Sequence, residues 1–240
     1  MITAVIIPWK NTDCLREQAR AWVVAQYQQR EFPVFIGELR DDEPWCKAVA
    51  IARGIRQALN LHTLVIADAD VWVEPEALDK AIEAVATGRS AWAQPFSKIF
   101  RFNQYASSRV LEGHETPDRM ACIPTSIARD ERVYSHTAAG GIVVVTLDAW
   151  KQVPMDPAFT GYGCEDFSWA DALETLIGPR ERIAGTLCHF WHTPQPRMSR
   201  TVGSSASLVL RNRYMRARGN VGAMQELIDE AKLAFEGRTP

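Results

Sequence analysis

The chain has 240 residues, 47% apolar and 23% charged, with 27 Lys and Arg against 29 Asp and Glu for a formal net charge of −2. That length suits one large domain with a sizeable core, and the even charge balance argues against a global field for nucleic acid or an anionic membrane. Five scattered cysteines, Cys14, Cys46, Cys122, Cys164 and Cys188, form no Cys-x-x-Cys pair, which argues against a zinc ribbon or a disulfide framework. No basic leader opens the chain and no apolar stretch reaches membrane-spanning length, so a soluble, cytoplasmic protein is expected.

Residues 2–7 form a β-branched run ended by Pro8 and read as a central strand. Asn11 or Thr12 can cap a helix over residues 13–29. Residues 34–36 read as a second strand, and Glu43-Pro44 opens a helix to Leu59. Residues 64–67 are a third strand, and Pro75 opens a helix through Ala86 with Glu74 and Glu76 suiting its dipole. This alternation predicts a mostly parallel sheet flanked by helices, the nucleotide-binding form of an α/β fold. Beyond Gly88, residues 91–93 suggest a strand. Residues 96–136 are then mixed and weakly periodic, carrying Arg101, Arg109, Arg119, Arg129 and Arg132; a stretch this long is expected to be a lid or acceptor loop. Ala138, Ala139, Gly140 and Gly141 lead into a strand over residues 142–147. A helix over 165–176, a strand over 185–190, an irregular loop from Trp191 through Pro194, Gln195 and Pro196, and a helix over 221–235 complete the chain. The expected organisation is one domain over residues 1–200, with a nucleotide-binding half (1–95), an acceptor and catalytic half (96–200), and a helical extension over 201–240.

Three groups of residues carry chemistry. Asp68-Ala69-Asp70 follows the third strand, and ligands of open α/β sheets sit outside the carboxyl ends of strands. A hard divalent cation, bound by one or two carboxylates and by substrate phosphates, fits there. Gly161-Tyr162-Gly163-Cys164-Glu165-Asp166 places two acids at a helix N-terminus after a tight turn. The alternative for these acids is simple complementation of the helix dipole. His189-Phe190-Trp191-His192 follows a strand; alternation sends His189 and Trp191 to one face, with His192 turned to the loop side. Together the two histidines suggest metal or substrate binding.

In this order the parts resemble GT-A glycosyltransferases, nucleotide-sugar enzymes with a Rossmann-like fold, closest to the branch that holds the family 2 and galactosyltransferase types. The resemblance covers most of residues 1–194. The opening Val5-Ile6-Ile7-Pro8-Trp9-Lys10-Asn11 is similar to the first strand that meets the nucleotide, and the segment from Lys47 to Gly54 to the helix leading up to the metal motif. Asp68-Ala69-Asp70 matches the DxD element, Gly140-Gly141 the donor-side glycines, and residues 161–166 the Gly-Trp-Gly-x-Glu-Asp element with Tyr162 for Trp. His192, or His189 as second choice, matches the late metal ligand. The second strand ends in Glu38-Leu39-Arg40-Asp41-Asp42 instead of Asp-Asp-Gly-Ser, which leaves the base-binding acid open between Asp41 and Asp42.

The resemblance implies a metal-dependent, hexosyltransferase-like enzyme. A sugar passes from a nucleoside-diphosphate sugar, of UDP type, to an acceptor hydroxyl. Asp68, Asp70 and His192 or His189 hold Mn²⁺ or Mg²⁺. Pro8, Trp9, Lys10, Asp41 or Asp42, Lys47, Arg53, Asp68, Gly140 and Gly141 meet the nucleotide sugar. Asp166 is the base of an inverting reaction, held ionised by its helix terminus, and Glu165 orients hydroxyls. Trp169 and Trp191 offer faces for sugar stacking, with core packing as the alternative. Arg211, Arg213, Arg216 and Arg218 form either a solvated helix face or a patch for a phosphorylated or nucleic-acid acceptor. The acceptor is left open among glycan, protein, lipid-linked glycan and modified nucleic acid. A nucleotidyltransferase is the competing enzyme, but Pro8-Trp9-Lys10-Asn11 lacks the Gly-rich phosphate loop it needs. A non-catalytic nucleotide-sugar or carbohydrate-binding relative is the competing binding protein; it would have lost the acids that are retained here.

Overall fold

In the computed structural model, which describes residues 2–11, 13–131, 139–161, 163–193 and 204–236, the first half alternates strand and helix. Its elements are β1 (Ile2–Trp9), α1 (Cys14–Gln29), β2 (Val34–Glu38), α2 (Lys47–Arg56), β3 (Leu61–Ala67), β4 (Val71–Val73) and α3 (Pro75–Ala86). β1 continues through Pro8 instead of stopping at it. The Val5 N–H donates to Pro33 on the β2 side, so by alternation the Pro8 nitrogen faces β3, where pairing has already ended at Ile6 and Ile66. A missing donor costs nothing there. Asp13, and not Asn11, caps α1, accepting from the Leu15 and Arg16 N–H groups at 3.0 and 2.9 Å. α2 begins at Lys47, later than Pro44 suggests. Residues 40–43 are held instead as a turn. The Glu43 carboxylate takes both terminal nitrogens of Arg53 at 2.6 Å and the Arg40 N–H at 2.7 Å. Thr12, Arg132, His136, Ala138, Tyr162, Pro194, Gln195 and Pro196 lie outside the described residues.

The second half comprises β5 (Trp92–Gln94), β6 (Lys98–Phe102), α4 (Gln104–Leu111), α5 (Pro117–Ala121), a 3-10 turn at Pro124–Ser126, β7 (Ile127–Glu131), β8 (Ile142–Thr146), α6 (Leu147–Gln152), α7 (Glu165–Leu176), β9 (Glu181–Arg182), β10 (Thr186–His189), α8 (Ser204–Ala217) and α9 (Val221–Glu236). The region expected to be a long loop is therefore regular from Lys98 to Glu131. Its elements are too short to repeat a period, which is why periodicity misses them.

The large sheet has the order β2-β1-β3-β8-β5-β9. β1 lies parallel to both β2 and β3, and β5 parallel to β9, while β8 runs antiparallel to its neighbours β3 and β5. Both faces are buried. Val5, Ile7 and Val65 point into one core, beneath α1 and α3; Ala4, Ile6, Leu64 and Ile66 point into the other, beneath α2, α6 and α7. Continuous apolar strands are the consequence. A smaller sheet, β4-β10-β6-β7, grows from the end of β3, because β4 starts directly after Asp70.

Trp169 belongs to the core. It is 2% exposed, donates through Nε1 to the Val153 carbonyl at 2.9 Å and meets Trp150 edge-on, so it offers no face to a sugar. The C-terminal helices close over α7: fully buried Asp171 pairs with Arg211 and with Arg218, the latter at 2.7 Å, and Arg213 pairs with Glu230. Arg211 is buried in this packing, while Arg213 and Arg218 stay about half exposed in their ion pairs and Arg216 is exposed on α8. Among the described residues no helix is long and apolar enough to cross a membrane.

α2 rests directly on β2. A Cβ on Gly37 would stand 1.7 Å from the Ala50 carbonyl oxygen, and one on Gly54 2.7 Å from Ile6 Cγ2. Gly37→Ala must push strand and helix apart, and it is expected to cost at least about 1–3 kcal/mol, read as a lower urea midpoint with an unchanged slope.

Candidate functional site

The site is built where β3 ends. The Asp68 N–H donates to the Gly141 carbonyl at 2.8 Å, and the Gly141 N–H returns to Asp68 Oδ2 at 3.1 Å, joining the end of β3 to the start of β8. Gly141 has φ +74°, and a Cβ on Gly140 would lie 2.5 Å from Asp166 Oδ2. Gly141 therefore needs glycine for its conformation, and a side chain at Gly140 would displace the Asp166 carboxylate. Lys47, the first residue of α2 and only 6% exposed, places Nζ 2.7 Å from Asp68 Oδ1 and 3.0 Å from Asp166 Oδ1. Burial works against its charge, but Asp166 and Asp68 outweigh burial and raise its pKa.

Asp166 and Glu165 open α7. Burial raises the pKa of Asp166, with Asp68 adding to the rise and Lys47 opposing it. Glu165 is pushed up to about 7 by burial and by the Asp166 charge, against Lys47 and the backbone N–H groups of Glu165 and Gly163; the Gly163 N–H donates to Glu165 Oε2 at 2.8 Å. The helix terminus is thus not the only influence on Asp166: burial of the carboxylate shifts its pKa upward.

Asp70 turns to a different set of partners. It is 4% exposed. Its Oδ2 lies 3.3 Å from His192 Nε2 and 3.4 Å from Arg16 Nη2, and its Oδ1 lies 3.8 Å from His189 Nε2. One ligand atom from each of Asp70, His189 and His192 lies within 4.8 Å of the others, an arrangement that could hold a metal ion. Burial favours the neutral acid, yet His189, Arg16 and His192 hold the Asp70 pKa below its ordinary value. Burial lowers the pKa of His189 despite Asp70, which favours the neutral imidazole a metal requires. β10 stops at His189, and the Phe190 N–H donates to the Asp70 carbonyl at 2.8 Å. The chain turns there, so both histidines reach Asp70 despite their odd spacing. Asp68 is outside this cluster.

A cavity of about 480 Å³ opens over these groups, with Pro8, Arg16, Trp45, Lys47 and Trp191 also in its lining. A second, of about 340 Å³, reaches Gly140, Gly141 and Phe167. The two share Asp68, Glu165, Asp166, His189, Arg101 and Arg129, so Asp166 stands where they meet. Trp9 is buried, with Arg20 over its ring at 5.0 Å. Lys10 bonds the Asp41 and Glu43 carbonyls, Arg53 bonds Glu43, and Asp41 and Asp42 are exposed on the same turn. Trp9, Lys10, Asp41, Asp42 and Arg53 do not line the cavity. Arg101 and Arg129, from the stretch expected to be a lid or acceptor loop, do line it, and so do Arg16 and Trp45, which sequence reasoning did not single out. Arg16 had one readable signal: it sits in the first turn of a helix that follows a parallel strand, hence at the ligand end of the sheet.

No family model matches the chain, and no curated protein matches it in sequence. Solved structures match its fold. The catalytic domain of Drosophila beta1,4-galactosyltransferase 7, in complex with xylobiose, superposes with a TM-score of 0.53 at 14% identity, over 91% of this chain and 80% of that one. GalNAc-T7 with UDP, GalNAc and Mn²⁺ superposes with a TM-score of 0.55 at 11% identity, over 96% of this chain but 55% of that longer one. S. aureus TarS residues 1–349, in complex with UDP-GlcNAc, gives 0.55 at 10% identity, over 96% and 71%. The fold is that of the GT-A glycosyltransferases.

Because the folded-state pKa of Glu165 lies above its ordinary 4.5, the folded chain binds the proton more tightly than the unfolded one. That contribution to stability is complete below about pH 4.5 and is lost as pH rises through about 7. Unfolding free energy measured without divalent cations should fall over this window, and Glu165→Gln should flatten the fall.

Proposed function

We propose that this chain transfers a sugar from a nucleoside-diphosphate sugar, of UDP type, to an acceptor hydroxyl, with inversion and with Asp166 as the base. The observation that carries this reading is one cavity shared by the Asp70–His189–His192 cluster and by Asp166. Support comes from fold neighbours that hold UDP with Mn²⁺ or UDP-GlcNAc.

Asp70, His189 and His192 suit a divalent cation: one carboxylate kept ionised and two imidazoles, a set that favours Mn²⁺ over Mg²⁺. When bound, such an ion supplies Lewis-acid stabilisation of the charge that develops on the leaving diphosphate. Arg16 braces Asp70 from beside it in the cavity lining, and Lys47 adds fixed positive charge on the donor side. Asp68, with Gly140 and Gly141, bounds the donor sugar. Pro8 lines the nucleotide side, while Trp9, Lys10, Asp41, Asp42 and Arg53 act from behind it by shaping the turns that follow β1 and β2.

In the reaction the acceptor oxygen forms a bond to the anomeric carbon and its proton passes to the Asp166 carboxylate. The bond to the diphosphate oxygen breaks, with its electron pair leaving on the nucleoside diphosphate. A raised pKa makes Asp166 a stronger proton acceptor than an ordinary aspartate. Glu165, whose pKa burial and the Asp166 charge raise, accepts from a substrate hydroxyl as the carboxylate and donates to one when protonated.

A panel of nucleotide sugars with Mn²⁺, assayed for diphosphate release and for the anomeric configuration of the product, tests the reading; binding of none of them overturns it. Asp166→Asn is expected to lower turnover by about 10²–10⁴-fold while UDP affinity stays within a factor of about two. Undiminished turnover rejects Asp166 as the base. His192→Ala should weaken Mn²⁺ binding in equilibrium dialysis by at least about tenfold; unchanged binding rejects the ligand set.

A further inference from the structure

We infer that the site takes up its divalent cation together with the donor diphosphate and not ahead of it, and that Arg16 sets this dependence. The inference rests on the glycosyl-transfer reading of the same cleft, in that a diphosphate shares it with the cation. Arg16 stands in the first turn of α1, where its N–H donates to the capping Asp13 carboxylate at 2.9 Å. Its side chain is 9% exposed, and its Nη2 lies 3.4 Å from Asp70 Oδ2. That same oxygen lies 3.3 Å from His192 Nε2, while Oδ1 lies 3.8 Å from His189 Nε2. A cation held by Asp70, His189 and His192 must therefore sit close to Arg16, beside an oxygen that Arg16 already engages.

Charge then decides what the cluster can hold. A ligating imidazole is neutral, so among the described residues of the cluster Asp70 brings the one negative charge. Arg16 offsets that charge. A guanidinium does not lose its proton, so its charge acts on the cation whatever further bonds the fork makes. The nearby carboxylates do not make up the difference: Asp68 and Asp166 are held against the Lys47 ammonium at 2.7 and 3.0 Å. The lining of the main cavity as a whole has four acidic side chains against four Arg and Lys, so it offers a dication no net negative charge. A diphosphate changes this. Its oxygens carry the negative charge that the cluster lacks, and they give Arg16 a second acceptor of the kind a guanidinium fork suits. Cation and diphosphate each improve the site for the other, and by linkage the factor is the same in both directions.

The test is equilibrium dialysis of the full chain at matched free Mn²⁺, alone, with UDP and with inorganic pyrophosphate. Mn²⁺ is expected to bind at least about tenfold more tightly with either anion than alone. Arg16→Met should tighten the binding of Mn²⁺ alone by about fivefold or more and shrink the gain from UDP. Arg16→Lys, which keeps the charge, should bind Mn²⁺ alone within about twofold of the parent. Mn²⁺ bound as tightly alone as with either anion overturns the inference on the unaltered chain, with no variant needed. If Arg16→Met weakens Mn²⁺ alone, Arg16 is a brace for the Asp70 carboxylate and nothing more. If it leaves Mn²⁺ alone unchanged and weakens UDP, Arg16 is a phosphate ligand only. Either result overturns the inference. Tightening by pyrophosphate without any by UDP is a separate result: it removes the nucleotide part of the transfer reading and leaves Arg16 as assigned.

Discussion

The ammonium of Lys47, buried between Asp68 and Asp166, is the interaction on which the rest of the site depends. It joins the start of α2, the end of β3 and the start of α7 within 3.0 Å of one atom. Without it, two carboxylates would face each other in a desolvated space, and neither the turn after β3 nor the first turn of α7 could hold its present position. Removing one partner of such a buried group costs about 3–5 kcal/mol, because the others are left uncompensated. Gly140 and Gly141 complete the arrangement, since any side chain at Gly140 would displace Asp166.

The second constraint is the change of sheet after Asp70. β3 belongs to the large sheet and β4 to the small one, with only Asp68, Ala69 and Asp70 between them. The two acids therefore sit at a seam and face different neighbours. Asp68 faces the large-sheet side, with Gly141 and Lys47; Asp70 faces the small sheet, with β10 and its histidines. One short motif thus meets two sets of partners, and the difference within the pair follows from topology.

Much of the site was legible in the chain. Asp68, Asp70, Glu165, Asp166, His189 and His192 are strand-end or helix-start residues, and local patterning marks such positions. α3 and α7 have the bounds that Pro75 and the acidic pair at Glu165 suggest. Cues from single turn residues misled where a longer-range bond competed. Pro44 marks a helix start only if nothing else engages the turn, and Glu43 is engaged by Arg53, ten residues on. Trp169 offered an aromatic face on paper, but packing against Trp150 and Val153 took it.

The sequence alone determined the alternation of elements, the class of fold and the residues that end strands near the ligand edge, because periodicity, capping and turn chemistry are local. Tertiary structure decided which of those residues meet. It brought both histidines to Asp70, gave Lys47 to Asp68 and Asp166, withdrew Arg53, Arg211, Arg213 and Arg218 into pairs of their own, and set Arg101 opposite Arg129. Partner choice depends on strand register and on burial across separations of up to about half the chain. The same burial raises the pKa of Asp166: the energy of a charge depends on the surroundings the fold supplies, which the residue and its sequence neighbours do not specify.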